Sequence, residues 1–134
     1  MFNSEIYVYR LMKKVYSLGY VVETHSHDYF HYIYVLDGKG KIRVKEMEIE
    51  AQKGNLYLTP VACQHGIIAD CKHAFKTLEI KFGLSNPVIY EKLMNLPFEI
   101  KNIEKEMHNI YADLIREITR KEALYDDIIN LRFA

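Results

Sequence analysis

The chain has 134 residues, and its 18 lysines and arginines balance 18 aspartates and glutamates. That length supports one domain with a real core. The zero formal net charge argues against a nucleic-acid-binding surface within it, which normally needs a basic excess. No apolar run approaches the roughly 18–20 residues of a membrane span, and MFNSEIYVYR shows no signal peptide, so a cytoplasmic protein with no membrane partner is expected.

Up to Asn86-Pro87 the texture is that of β-structure. EIYVYRL, YVVET, FHYIYVL, KIRVKEMEI, NLYLT, HGIIA and FKTLEIKF are short runs rich in Val, Ile, Tyr, Phe and Thr, and many alternate apolar with polar residues. Leu18-Gly19, Asp37-Gly38-Lys39-Gly40 and Lys53-Gly54-Asn55 separate them as turns. Within KIRVKEMEI the apolar phase changes from Ile42 and Val44 to Met47 and Ile49, which places a tight turn near Lys45-Glu46. Many short strands with glycine-rich turns predict an all-β sandwich or barrel over residues 1–86.

Residues 87–134 read as helical. PVIYEKLMNL predicts a short helix with Pro87 in its first turn, and Pro97 interrupts it. From about Lys101, Ile103, Met107, Ile110, Leu114 and Ile118 recur at helical spacing, with charges of both signs on the other face. A further helix is expected from about Ala123, carrying Leu124, Ile128 and Leu131 on one side. The stripe is read either as packing onto the domain's own sheet or as a subunit interface. The last residues fall inside an apolar-periodic pattern without a C-cap glycine, which reads as a cut.

Histidine carries the chemistry. His25, His27 and His31 lie between Gly19 and Gly38, and a second block follows with Gly54, Pro60 and His65. On a continuous strand His25, His27 and His31 share a face, and a barrel could bring His65 to them. Three or four such nitrogens suit a divalent transition metal: Zn, Ni, Fe, Co or Mn. No glycine-rich phosphate cradle, G-x-S-x-G elbow or H-E-x-x-H helix is present. Glu23 and Glu79 are the acidic residues that could face the cavity. Tyr29, Tyr32, Tyr34 and Tyr57 surround the motif and read first as ordinary strand residues. Cys63 and Cys71 lack C-x-x-C spacing and read as buried or half-buried thiols in a reducing compartment. His73 and His108 fall outside both blocks, and Lys13-Lys14 is too short a basic run to signal nucleic acid.

The two blocks resemble the two motifs of the cupin superfamily. Gly19, His25, His27 and Gly38 match the first, with His31 where the family has glutamate. Gly54, Pro60 and His65 match the second, with Ala62 and Ala69 in place of its second glycine and its asparagine. The resemblance covers roughly Tyr16 to Phe82 and implies a double-stranded β-helix, or jelly-roll, barrel. It also implies a metal shell of His25, His27, His31 and His65 that has lost its one anionic ligand. A scaffold that binds an organic effector without metal, and a pH-sensitive imidazole cluster, are the other readings of the same residues.

A compact barrel with YIYVLDGKG, GNLYLTPVACQH and IYADLIREITRKEALYDDIINLRF further resembles the sensor domain of AraC-type transcription regulators. That resemblance implies a small-molecule effector in the barrel and a homodimer through the C-terminal helices. DNA would be bound only by a further domain absent from this chain, and no catalysis is expected. The interface candidates are Ile103, Met107, Ile110, Leu114, Ile118 and Leu131. The alternative is a stand-alone metal-dependent cupin enzyme of dioxygenase or isomerase type.

Overall fold

In a computed structural model, the structure describes residues 6–110 together with 112, 113, 116 and 120. The described strands are β1 Ile6–Tyr16, β2 Val21–His25, β3 Phe30–Gly38, β4 Gly40–Val44, β5 Met47–Ala51, β6 Leu56–Thr59, β7 His65–Ala69, β8 Phe75–Leu84 and β9 Glu99–Ile100. They form two antiparallel sheets, one ordered β1-β8-β3-β6-β9 and the other β2-β7-β4-β5. This is the mainly β architecture that the turn spacing predicts, in the jelly-roll form that the cupin resemblance implies.

The core lies between the sheets. Ile33, Val35, Tyr57, Phe75 and Tyr16 from one meet Ile42, Ala51, Ile67 and Ala69 from the other. In β3 the pleat sends His31, Ile33 and Val35 inward, and Phe30, Tyr32 and Tyr34 to the opposite face. There Tyr32 and Phe30 pack against Phe82. Tyr57 is fully buried in the core, where its hydroxyl accepts from Gln52 N and donates to the Glu50 carbonyl.

The turn at Lys45-Glu46 joins β4 to β5, with Lys45 in the left-handed region at φ 53°. Gly38, at φ +86°, closes the first histidine block, and a Cβ there would lie 1.6 Å from the Ala74 carbonyl oxygen. β1 runs to Tyr16, five residues past the apolar-rich segment that marks it in the sequence.

Two compact units divide the chain, residues 1–102 and 103–134. The helix α1, Pro87–Met94, belongs to the first. The Asn86 side chain caps it by accepting from Val88 N and Ile89 N, and Pro87 sits where no amide donor is needed. β9 also belongs to the first unit, paired with β6 through Leu56 and Tyr57. In the second unit residues 104–110 are helical, as are 112, 113, 116 and 120. Of the expected stripe, Ile103 is half-buried, Met107 is buried and Ile110 is exposed. Leu114, Ile118, Leu131 and the helix expected from Ala123 lie outside the described residues. Among the described residues no helix is long and apolar enough to cross a membrane.

Register irregularities decide what faces the interior. β2 shifts between Val22 and His25, so that His25, and not Thr24, stands opposite His65 on β7. Gly66 makes room for this bulge. A Cβ at Gly66 would lie 2.7 Å from the Val22 carbonyl oxygen and 3.3 Å from the Thr24 backbone. Gly66→Ala is therefore expected to destabilise the fold by about 1–3 kcal/mol, the usual range for overpacking, as read from the midpoint of urea unfolding.

Candidate metal centre

The four histidines come from four places in the fold. His25 and His65 are cross-strand partners in one sheet, His31 lies in the other, and His27 sits in the loop between β2 and β3. The expectation that His25, His27 and His31 share a face of one continuous strand is replaced by a sheet-to-sheet crossing. The His27 loop is held by a bond from Ala62 N to the His27 carbonyl, 2.7 Å. Ala62 adopts φ 62°, a conformation that explains a glycine preference at this place in the second motif.

One ring nitrogen each of His25, His27 and His65 lies within 4.8 Å of the others. His25 Nε2 is 2.9 Å from His27 Nε2, and His31 Nδ1 is 3.3 Å from His65 Nε2. His31 is outside the tightest group of three but adjoins it through His65.

The outer nitrogens fix the tautomers. His25 Nδ1 donates to the Glu23 carbonyl at 2.7 Å, and His65 Nδ1 donates to the Cys63 carbonyl at 2.9 Å. His31 Nε2 donates to Glu79 Oε1 at 2.6 Å. A carbonyl or carboxylate oxygen only accepts, so each of these nitrogens carries the hydrogen. In the neutral rings the inner nitrogens, His25 Nε2, His65 Nε2 and His31 Nδ1, then carry lone pairs. At His31 and His65 two lone pairs face each other, an arrangement that a shared cation resolves. The separation also fits: tetrahedral ligands at zinc–nitrogen bond lengths stand about 3.3 Å apart. The donor set therefore fits a divalent transition metal, held by His25, His27 and His65, with Nδ1 of His31 as fourth donor.

Behind His31 lies a fully buried carboxylate. Glu79 on β8 accepts from His31 at Oε1, and from the Tyr16 and Thr77 hydroxyls at Oε2, each at 2.6 Å. Lys14 Nζ stands 4.0 Å from Oε1. Burial alone raises the Glu79 carboxyl, but the bond and charge of His31, with the two hydroxyls, outweigh it and hold the group at about 2. The negative charge missing from the ligand position at His31 is thus present one hydrogen bond further out. A carboxylate orienting a ligating imidazole is the recurrent outer-shell arrangement of metal sites. Glu23 contributes only its carbonyl here, and its side chain is exposed.

Tyr29 stacks on His27 with centroids 4.4 Å apart. Tyr16 and Thr77 join the site unmarked by any motif in the sequence. Their signal is pleat parity: Thr77 and Glu79 are inward neighbours on β8, and Tyr16 is inward on β1. Cys63 is half-buried and Cys71 is exposed, so Cys71 is not the covered thiol its sequence surroundings imply. His73 pairs with Asp70 at an exposed turn, and His108 is exposed. A groove of about 780 Å³ along β4, β5 and β7, where Lys41 faces Glu50, is lined by none of the four histidines.

These two sheets, the paired histidine blocks and the imidazole cluster at one end of the barrel define a cupin-type β-barrel. A family model described as "Cupin domain" matches residues 15–81, half of the chain, and the chain belongs to that family. Among solved structures it is similar to a cupin superfamily protein from Desulfitobacterium hafniense, at 17% identity and TM-score 0.52, over 62% of this chain and 72% of that one. It is also similar to a predicted oxalate decarboxylase from Thermotoga maritima, at 19% identity and TM-score 0.54, over 57% and 68%. A cupin protein from Bacteroides fragilis matches at 23% identity and TM-score 0.52, over 57% and 66%. At these identities the likeness concerns the fold. No curated protein matches the sequence.

Burial, followed by the charges of neighbouring histidines, holds His27 at about 4. Burial likewise leads in holding His65 at about 4, with the His31, His25 and His27 charges adding to it. An imidazole held below its ordinary value binds its proton more readily in the unfolded chain. It therefore costs no stability above about pH 6.5, and stability is lost as pH falls toward 4. Glu79, also held low, adds a loss that starts near its ordinary value and continues toward 2. In the presence of a chelator, the thermal midpoint is expected to fall steadily from pH 7 to pH 4, and His65→Asn should flatten the upper part of that profile.

Proposed function

We propose that this cupin domain holds a divalent transition metal at His25, His27, His31 and His65 and serves as the ligand-sensing and dimerisation domain of an AraC-type transcription regulator. The observation that carries the metal is the locking of three outer ring nitrogens as donors, which turns the inner lone pairs of His25, His31 and His65 toward one another. A bound metal would supply Lewis acidity and open positions for an effector's polar group. The protein's own residues fix its ligands: the Glu23 and Cys63 carbonyls and the Glu79 carboxylate orient the three rings.

Sensing is favoured over turnover by the state of Glu79. It is the carboxylate hydrogen-bonded to His31, and three donors occupy its two oxygens. A group so engaged orients its neighbours and is poorly placed to accept a substrate proton. The same bonds tie the site to β1, an edge strand of its sheet, through Tyr16. An effector that binds one placement of β1 better than another would shift the population between them and so signal outside the barrel. The resemblance of the C-terminal segment supports the regulator reading and the dimer.

Protein prepared without a histidine tag and with metal supplied is expected to hold about one equivalent by elemental analysis. His65→Ala should reduce this to below about a tenth. Glu79→Gln should keep the stoichiometry but weaken affinity about 10–100-fold in competition with a chromogenic chelator. Wild-type protein that stays metal-free under these conditions rules the site out.

Dimerisation is read by sedimentation. Wild type is expected as a dimer and Leu114→Glu as a folded monomer, because a charge within an apolar interface is left unpaired. A monomeric wild type at high concentration reduces the stripe to packing.

A further inference from the structure

Cations line the inner face of the first sheet beside the histidines. Arg10 on β1 pairs directly with Lys81 on β8, and Lys81 pairs with His31 on β3. Paired residues project to the same side of a sheet, so Arg10, Lys81 and His31 form one row across the inward face. Lys14 lies on the same face of β1, opposite Thr77. The register shift between Val8 and Arg10 leaves Tyr9 as the extra residue, with its ring 5.6 Å from that of Tyr29.

Like charges directly opposed on neighbouring strands are destabilising, and this row carries two. Lys81 is held below its ordinary value by burial and by the charges of Lys14 and Arg10, which outweigh the opposing charge of Glu79. Among the described residues neither Arg10 nor Lys81 forms an ion pair. Glu79 meets them only in part: Lys14 Nζ stands 4.0 Å from its Oε1 and its charge reaches Lys81, while both oxygens already accept hydrogen bonds from His31, Tyr16 and Thr77. The chain as a whole is neutral, so the concentration is local. Lys81 Nζ lies 5.9 Å from the centroid of Tyr29, the ring that stacks on His27, so the row adjoins the imidazoles.

We propose that Arg10, Lys14 and Lys81 form an oxyanion subsite at the barrel mouth, and that the effector is a small organic anion whose carboxylate or phosphate is bound there. Arg10 offers a planar fork and the two lysines offer point charges, a set that both oxyanions satisfy. The inference rests on the sensing role proposed above and names its ligand class. The repulsion between Arg10 and Lys81 in the free protein is relieved when an anion binds, which is the differential interaction a sensor needs.

Four probes that share one ring separate charge from shape: benzoate, phenyl phosphate, benzamide and benzylamine. Titration calorimetry at low ionic strength, on metal-free and metal-loaded protein, is expected to show at least one anion binding at least tenfold more tightly than benzamide, with benzylamine weakest. Whether benzoate or phenyl phosphate leads identifies the oxyanion. Lys81→Gln and Arg10→Gln should each abolish the tenfold preference and leave the metal stoichiometry unchanged. Each should also raise the thermal midpoint of the ligand-free protein, since each relieves repulsion, a shift that loss of a merely structural residue would not give. Preference for anions in metal-free protein supports the subsite even where the metal reading fails. One equivalent of metal with no anion preference in either form, including no detectable anion binding at millimolar concentration, overturns the subsite and leaves the metal reading standing.

Discussion

A carboxylate taken fully out of water must be met by donors on both oxygens, and Glu79 draws its donors from three adjacent strands of one sheet. Tyr16 comes from β1, Thr77 from β8 itself and His31 from β3. Without them the isolated charge would cost several kcal/mol or take up a proton. With them it stays ionised and becomes a fixed point from which the site is built. Because Glu79 accepts from His31 Nε2, His31 must present Nδ1 to His65. Because Tyr16 donates to Glu79, the end of β1 is bound to the same centre. One buried charge thus sets a tautomer, a ring orientation and the attachment of an edge strand.

Placing the anion behind a histidine, and not among the ligands, changes the electrostatics of the cluster. The inner nitrogens of His25, His31 and His65 face one another, and the compensating charge is one imidazole away. The Arg10, Lys81 and Lys14 side chains stand on the same sheet face, and of the three only Lys14 forms an ion pair with Glu79 among the described residues. Such a mouth is poorly suited to a cationic ligand and favours an anionic one, since focused potential at the rim of a low-dielectric cavity raises the local concentration of counter-ions. Strand register sets the rows: Arg10 and Lys81 share one, and Lys14 lies opposite Thr77 in another.

Much of this was legible in the residues. The glycine-bounded strands, the Lys45-Glu46 turn and the histidine blocks led to the two-sheet barrel, because alternation and turn chemistry are local properties. His31, Ile33 and Val35 were readable as one face of β3 for the same reason. What the sequence obscured was non-local. The bulge between Val22 and His25 shows only when β2 meets β7, and the space it needs comes from Gly66 on the other strand. Glu79 could be named as a cavity-facing residue but not as the partner of His31, since 48 residues separate them. β9 has two residues and carries no pattern of its own; pairing with β6 makes it a strand. Arg10 and Lys14 look like ordinary solvated charges until the ladder with β8 places them on the inner face.

Ala62 and the Arg10–Lys81 pair show the same economy at different scales. A non-glycine residue at positive φ and two opposed cations both weaken the free fold, and both stand next to the histidines. Ala62 carries the amide that holds the His27 loop, so its strain is accepted where it positions a ligand. Among the described residues neither member of the cation pair forms an ion pair. Its cost is recovered only when something of opposite charge arrives, and that makes stability itself depend on occupancy. In a domain whose edge strand carries Arg10, Lys14 and Tyr16 together, relief of that repulsion acts directly on β1, the strand best placed to report it.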